Sequence, residues 1–107
     1  MELLTQDLKQ QFAKQGDTST KEAEDILVLA KFFCPWNAFT WFAAEWYPDT
    51  NIFFGYANLG DDTNSELGNF SLKELEELEG PFGMKVERDI YWVPRSLRLV
   101  IEKRGHI

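Results

Sequence analysis

The stretch Phe32–Tyr56, FFCPWNAFTWFAAEWYPDTNIFFGY, constrains this chain more than any other. It holds eleven of the sixteen aromatic residues: Phe32, Phe33, Trp36, Phe39, Trp41, Phe42, Trp46, Tyr47, Phe53, Phe54 and Tyr56. Each large ring offers roughly 150–250 Å² for burial, so a block this dense must build the core. On a strand, Phe39, Trp41, Ala43, Glu45 and Tyr47 share one face, and Thr40, Phe42, Ala44 and Trp46 share the other. Neither face alternates to polar. Either helices cover both, or one presents tryptophan and tyrosine to a partner or ligand.

A chain of 107 residues is expected to form one domain spanning 1–107, long enough to fold alone and too short for two cores. With 44% hydrophobic and 27% charged residues it has the composition of a soluble globule, not of a disordered chain. No apolar run reaches membrane-spanning length, and MELLTQDLK lacks the basic region and apolar core of a signal peptide. Cys34 is the sole cysteine, so no internal disulfide can form and the expected compartment is the cytoplasm. The net charge of −7 repels phosphates, which argues against nucleic acid as a direct ligand. That charge is uneven. Residues 58–80 carry one basic and seven acidic side chains, whereas residues 81–107 carry six basic and three acidic.

The order of elements follows from local patterning. Thr5 is placed to cap a helix carrying Leu4, Leu8 and Phe12, with Gly16 as its stop. Three strands follow, Ile26–Phe33, Phe39–Tyr47 and Ile52–Asn58, separated by Cys34-Pro35 and by the Pro48–Asn51 turn. Short connections make this a meander of antiparallel neighbours. Ser65–Phe70 can add a fourth strand. Ser71 with Glu74 forms a capping box, Phe70 and Leu75 a staple, and the helix Leu72–Glu79 ends at Gly80-Pro81. Val86–Val93 reads as a strand closed by Pro94, and Ser96–Glu102 leans to helix. The expected architecture is α+β, an antiparallel sheet of four to five strands with a meander at 26–58 and two to three helices packed on it.

Catalytic and metal signatures are scarce. One Cys and one His, Cys34 and His106, cannot assemble a zinc set. The Asp61, Thr63, Ser65 series lacks the central glycine and the bidentate Glu of a calcium loop. P-loop, dinucleotide and nucleophile-elbow motifs are absent, so no metal, cofactor or catalytic residue is assigned. Glu45, amid Trp41, Phe42 and Trp46, is the one carboxylate that burial could tune toward acid–base use. The alternative is a solvent-facing or ion-paired Glu45. Glu74, Glu76, Glu77 and Glu79 read as a solvated helix face, or with Asp61, Asp62 and Glu66 as an acidic mimic of nucleic acid.

Several strings in order carry a resemblance: Leu3-Leu4-Thr5, AKFF at Ala30–Phe33, Thr40-Trp41, FFGY at Phe53–Tyr56, ELGNFSLKELEEL at Glu66–Leu78, GPFG at Gly80–Gly83 and ERDIYW at Glu87–Trp92. On these the chain resembles a domain-of-unknown-function family of small bacterial proteins met on plasmids, integrative conjugative elements and related mobile DNA. The resemblance implies a cytoplasmic accessory protein and brings no catalytic residues. A binding protein is therefore favoured over an enzyme. Its partner is expected to be another protein or a second copy, met through Trp36, Trp41, Glu45, Tyr47 and Tyr56.

Overall fold

Thr5 opens the first helix as its position requires. Its Oγ1 accepts from the Leu8 amide at 3.2 Å, satisfying one orphan donor of the first turn. Helix α1 then runs Gln6–Gln15 and buries Leu8 and Phe12, a stripe narrow enough to seat it on a sheet face. The computed structural model describes residues 1–107. The remaining elements are β1 Leu27–Val28, β2 Ala30–Phe33, β3 Phe39–Tyr47, β4 Ile52–Leu59, β5 Ser65–Ser71, α2 Leu72–Glu77, β6 Glu87–Arg88, β7 Arg95–Ser96 and α3 Leu97–Glu102. Five strands form an antiparallel sheet in the order β5-β4-β3-β2-β6, and β1 pairs with β7 in a second, two-stranded sheet. The fold is α+β.

Three expectations are corrected. The apolar run Ile26–Phe33 is not one strand: β2 stays in the main sheet while β1 leaves it for β7. The side-chain amide of Gln15 makes the departure possible. It accepts from Leu27 N at 2.9 Å and donates to Leu27 O at 2.8 Å and Ala44 O at 2.7 Å, standing in for rungs the separated strands lose. Val86–Val93 pairs only at Glu87–Arg88, because Asp89 turns the chain by accepting from the Tyr91 and Trp92 amides. Helix α2 stops at Glu77, and Leu78 becomes an extended, exposed cap residue that no longer faces the core.

The facing of β3 also departs from simple alternation. Ala43 pairs with Gly55 and Glu45 with Phe54, which leaves Ala44 as the extra residue of a β-bulge. Beyond it every side chain changes face. Trp46, opposite Phe53, rejoins the side of Trp41, while Glu45 and Tyr47 lie opposite Phe54 and Ile52 on the other. Gly55 is needed beside the bulge, since a Cβ there would stand 1.7 Å from the Phe42 carbonyl oxygen.

Both faces of the sheet are covered. On one, α1, α2 and the N-terminal Leu3 and Leu4 close over Phe32, Trp41, Phe53 and Phe70. Phe53 is the centre, with ring centroids 5.9 Å from Phe12 and 5.5 Å from both Phe32 and Phe70. On the other, Leu97 and Val100 of α3 pack with Ile26 and Val28 against Phe42, Ala44 and Tyr56, and Trp92 meets Phe42 edge-on at 5.6 Å. Of the eleven aromatics in the block, only Tyr47 is exposed.

Candidate functional site

The five residues expected to form a binding surface are not gathered into one. Trp41, Glu45 and Tyr56 are buried, with Trp41 only 6% exposed. Trp36 is half-buried and Tyr47 is 41% exposed. Trp36 lies just before β3 and Tyr47 at its far end, so about 25 Å of extended chain separates them.

Glu45 and Tyr47 instead make a local clasp. One Glu45 carboxylate oxygen accepts from the Thr18 amide, and the other accepts from the Tyr47 hydroxyl at 2.6 Å. The hydroxyl's ionisation is pushed up to about 12, first by that hydrogen bond, then by burial and by the Glu45 and Asp17 charges. Glu45 therefore ties the loop after α1 to the end of β3. It borders a groove of ≈ 270 Å³ with Phe12, Asp17, Trp46 and Tyr47, and Lys9 stands 5.6 Å over the Trp46 ring. Both carboxylate oxygens are engaged, so a proton transfer there would have to break the clasp.

Other residues singled out in the sequence have structural partners. Cys34 is buried, and burial pushes its thiol's pKa up, holding it in the neutral form. Lys31 donates to Ile107 O at 2.9 Å, lies 3.9 Å from Asp89 and sits near the Phe42 and Trp92 rings. His106 is held at 2.8 Å from Asp62, and that hydrogen bond keeps the Asp62 carboxyl below its ordinary range. Asp61 caps its own loop by accepting from Thr63 and Asn64. The carboxylates do not form one free acidic face: Asp62 meets Arg104, Glu77 meets Lys73 and Glu79 meets Lys85.

The exposed apolar side chains lie elsewhere, between Leu78 and Val93. Of the ten large hydrophobic residues on the surface, six fall in this stretch: Leu78, Phe82, Met84, Ile90, Tyr91 and Val93. Its first half is the Gly80–Gly83 turn, closed by Gly80 N donating to Met84 O at 2.8 Å and Met84 N to Pro81 O at 3.1 Å. Trp36 forms the turn's floor. A Cβ at Gly80 would lie 2.2 Å from the Trp36 ring, so only glycine lets the backbone rest on the indole. Phe82, at the tip, has φ 58 and is 103% exposed. In the second half, the Asp89 turn sends Trp92 inward to Val28 O, at 3.0 Å, and leaves Tyr91 outward, 86% exposed.

Lys85, Val86 and Glu87, in the middle of this stretch, line a groove of ≈ 450 Å³ together with Met1, Leu3, Leu75 and Glu76. Sequence reading missed this surface, although the GPFG string held a usable signal. An aromatic residue between proline and glycine sits at a turn's tip, where a side chain has little chance to fold back.

No group of three or more His, Cys, Asp or Glu residues is placed to hold a metal ion. No helix is long and apolar enough to cross a membrane. Comparison with curated proteins finds no match, and comparison with solved structures finds none either. The family model described as "Protein of unknown function (DUF2958)" matches residues 3–100, from the buried Leu3 into helix α3. The chain belongs to that family.

Proposed function

We propose that this chain is a protein-binding module that offers the Leu78–Val93 surface, with Phe82 as its anchor, to another protein. The carrying observation is Phe82 itself. A left-handed backbone costs a non-glycine residue about 1 kcal/mol, and leaving a phenylalanine in water forgoes about 2 kcal/mol of burial. Phe82 bears both at once on a turn seated on Trp36. Strain of this kind is retained where something other than stability favours it, and aromatic side chains are enriched at the centres of protein interfaces.

The aromatic sheet surface expected from the sequence enters this reading through Trp36, which positions the turn. Trp41 and Tyr56 serve the core. The wider setting we propose is that of a cytoplasmic accessory protein of bacterial mobile DNA, supported by the resemblance of the strings at Glu66–Leu78, Gly80–Gly83 and Glu87–Trp92. An acid–base role for Glu45 gains little support from a carboxylate with both oxygens bonded, and mimicry of nucleic acid gains little from an acidic surface broken by Arg104, Lys73 and Lys85 beside Asp62, Glu77 and Glu79.

The test is affinity purification with crosslinking from the native host, comparing wild type with Phe82→Gly and Tyr91→Ala. A specific protein lost with Phe82→Gly and retained with Tyr47→Phe is the expected result. Equal recovery of the same partners by wild type and Phe82→Gly would overturn the assignment.

A further inference from the structure

The two edges of the main sheet differ. The β6 edge is two residues long and ends in the Asp89 turn, which is how folded proteins commonly blunt an edge. The β5 edge is seven residues long, Ser65–Ser71, and pairs only with β4. The hydrogen bond from Leu72 N to Asn51 O, at 2.9 Å, fixes the ladder's phase. Counting from it, Glu66, Gly68 and Phe70 bond to β4, and Leu67 and Asn69 turn both their N–H and C=O outward. No other backbone or side-chain group in the chain meets those outward atoms.

We propose that this edge accepts an extended, basic segment of another protein as an added strand. Strand addition supplies main-chain hydrogen bonds from the free edge, and alternate side-chain positions supply choice of partner. The surroundings specify that choice. Glu66 and Glu74 border a groove of ≈ 190 Å³ with Trp41 and Phe70, and neither carboxylate takes part in an ion pair. A Cβ at Gly68 would meet nothing within 4 Å. An incoming strand therefore has a site for Lys or Arg opposite Glu66, and open space for a large apolar side chain opposite Gly68. A second copy of this chain fits less well, because it would bring its own Glu66 and a net charge of −7 to the same edge.

The probes are short synthetic peptides that alternate Lys or Arg with Phe or Leu on one face, and the same peptides with Glu in place of the basic residues. Amide exchange followed by nuclear magnetic resonance is expected to slow at Leu67 and Asn69 with the basic set alone. N-methylating the peptide at alternate residues should abolish binding in one phase and spare it in the other. Leu67→Pro removes an N–H that makes no bond in the fold, so the protein should stay folded and bind about tenfold more weakly. Should that variant misfold, the N-methylated peptides still decide the matter.

The proposal is overturned by peptides that bind in both N-methyl phases, by equal binding of the acidic set, or by no peptide slowing these amides. Sedimentation showing a dimer with the same amides protected, without peptide, would assign the edge to a second copy and overturn it too. Phe82→Gly should leave peptide affinity unchanged, so this edge and the Phe82 surface stand or fall separately.

Discussion

The block Phe32–Tyr56 and the stretch Leu78–Val93 both carry large apolar side chains, and the backbone between them decides what those side chains do. In the block, β2, β3 and β4 satisfy their backbone groups in a ladder, so side chains project regularly to two covered faces. In the later stretch only Glu87 and Arg88 join the sheet. Turns at Gly80–Gly83 and Asp89–Trp92 use the backbone locally and aim Phe82, Ile90 and Tyr91 at water. Aromatic density thus marks the core here, whereas aromatics on turns mark the surface. The buried packing of the fold lies in the first region, and the surface proposed above for recognition lies in the second.

The largest effect should come from the centre of the block. Phe53→Ala removes a fully buried ring in contact with Phe12, Phe32 and Phe70. A loss of about 4 kcal/mol in urea-induced unfolding is expected. A loss below about 1 kcal/mol would mean that this face is loosely packed, and would remove the contrast between the two regions.

The next test sharpens the boundary between them. Gly80→Ala drives a Cβ into the Trp36 ring and should cost about 2 kcal/mol. In a Trp36→Ala background that penalty should largely vanish, because the two residues act as one contact. A penalty undiminished in the double variant would separate Trp36 from the Phe82 turn.

A smaller effect concerns the clasp at the block's far end. Tyr47→Phe should cost about 1 kcal/mol, kept small because the hydroxyl is partly in water. The folded state holds Tyr47 protonated up to about 12, above the ordinary 10. Between those values the unfolded chain has released a proton that the folded chain retains. The clasp's contribution is therefore complete below pH 10 and lost as pH rises toward 12. Tyrosinate absorbance should report a late-titrating tyrosine in the wild type that is missing in Tyr47→Phe, and stability above pH 10 should fall less steeply in that variant.

Much of the fold was legible because its signals are local. Thr5 and Ser71 cap their helices as expected, accepting from Leu8 N and Glu74 N. The strands β3 and β4 match the apolar runs on either side of the Pro48–Asn51 turn. What escaped depends on contacts distant in sequence. The Ala44 bulge that re-aims Glu45, the Gln15 amide bridging Leu27 to Ala44, and the covers supplied by Leu3, Val86 and Trp92 leave no local pattern. The sheet face expected to present tryptophan and tyrosine is closed by these covers, which bury Trp41 and Tyr56. The candidate surface on the Phe82 turn was readable in principle, since turn chemistry at GPFG is local. The open phase of the β5 edge was not, because it follows from pairing register.

The division of labour between the two regions is tested most directly by the unfolding free energy of Phe82→Gly. If Phe82 is an anchor held out in a strained conformation, glycine should relieve the left-handed backbone and leave stability unchanged or raised by up to about 1 kcal/mol. A loss of 2 kcal/mol or more, about that of a buried phenylalanine, would show the ring to be packed within the fold and contradict the account.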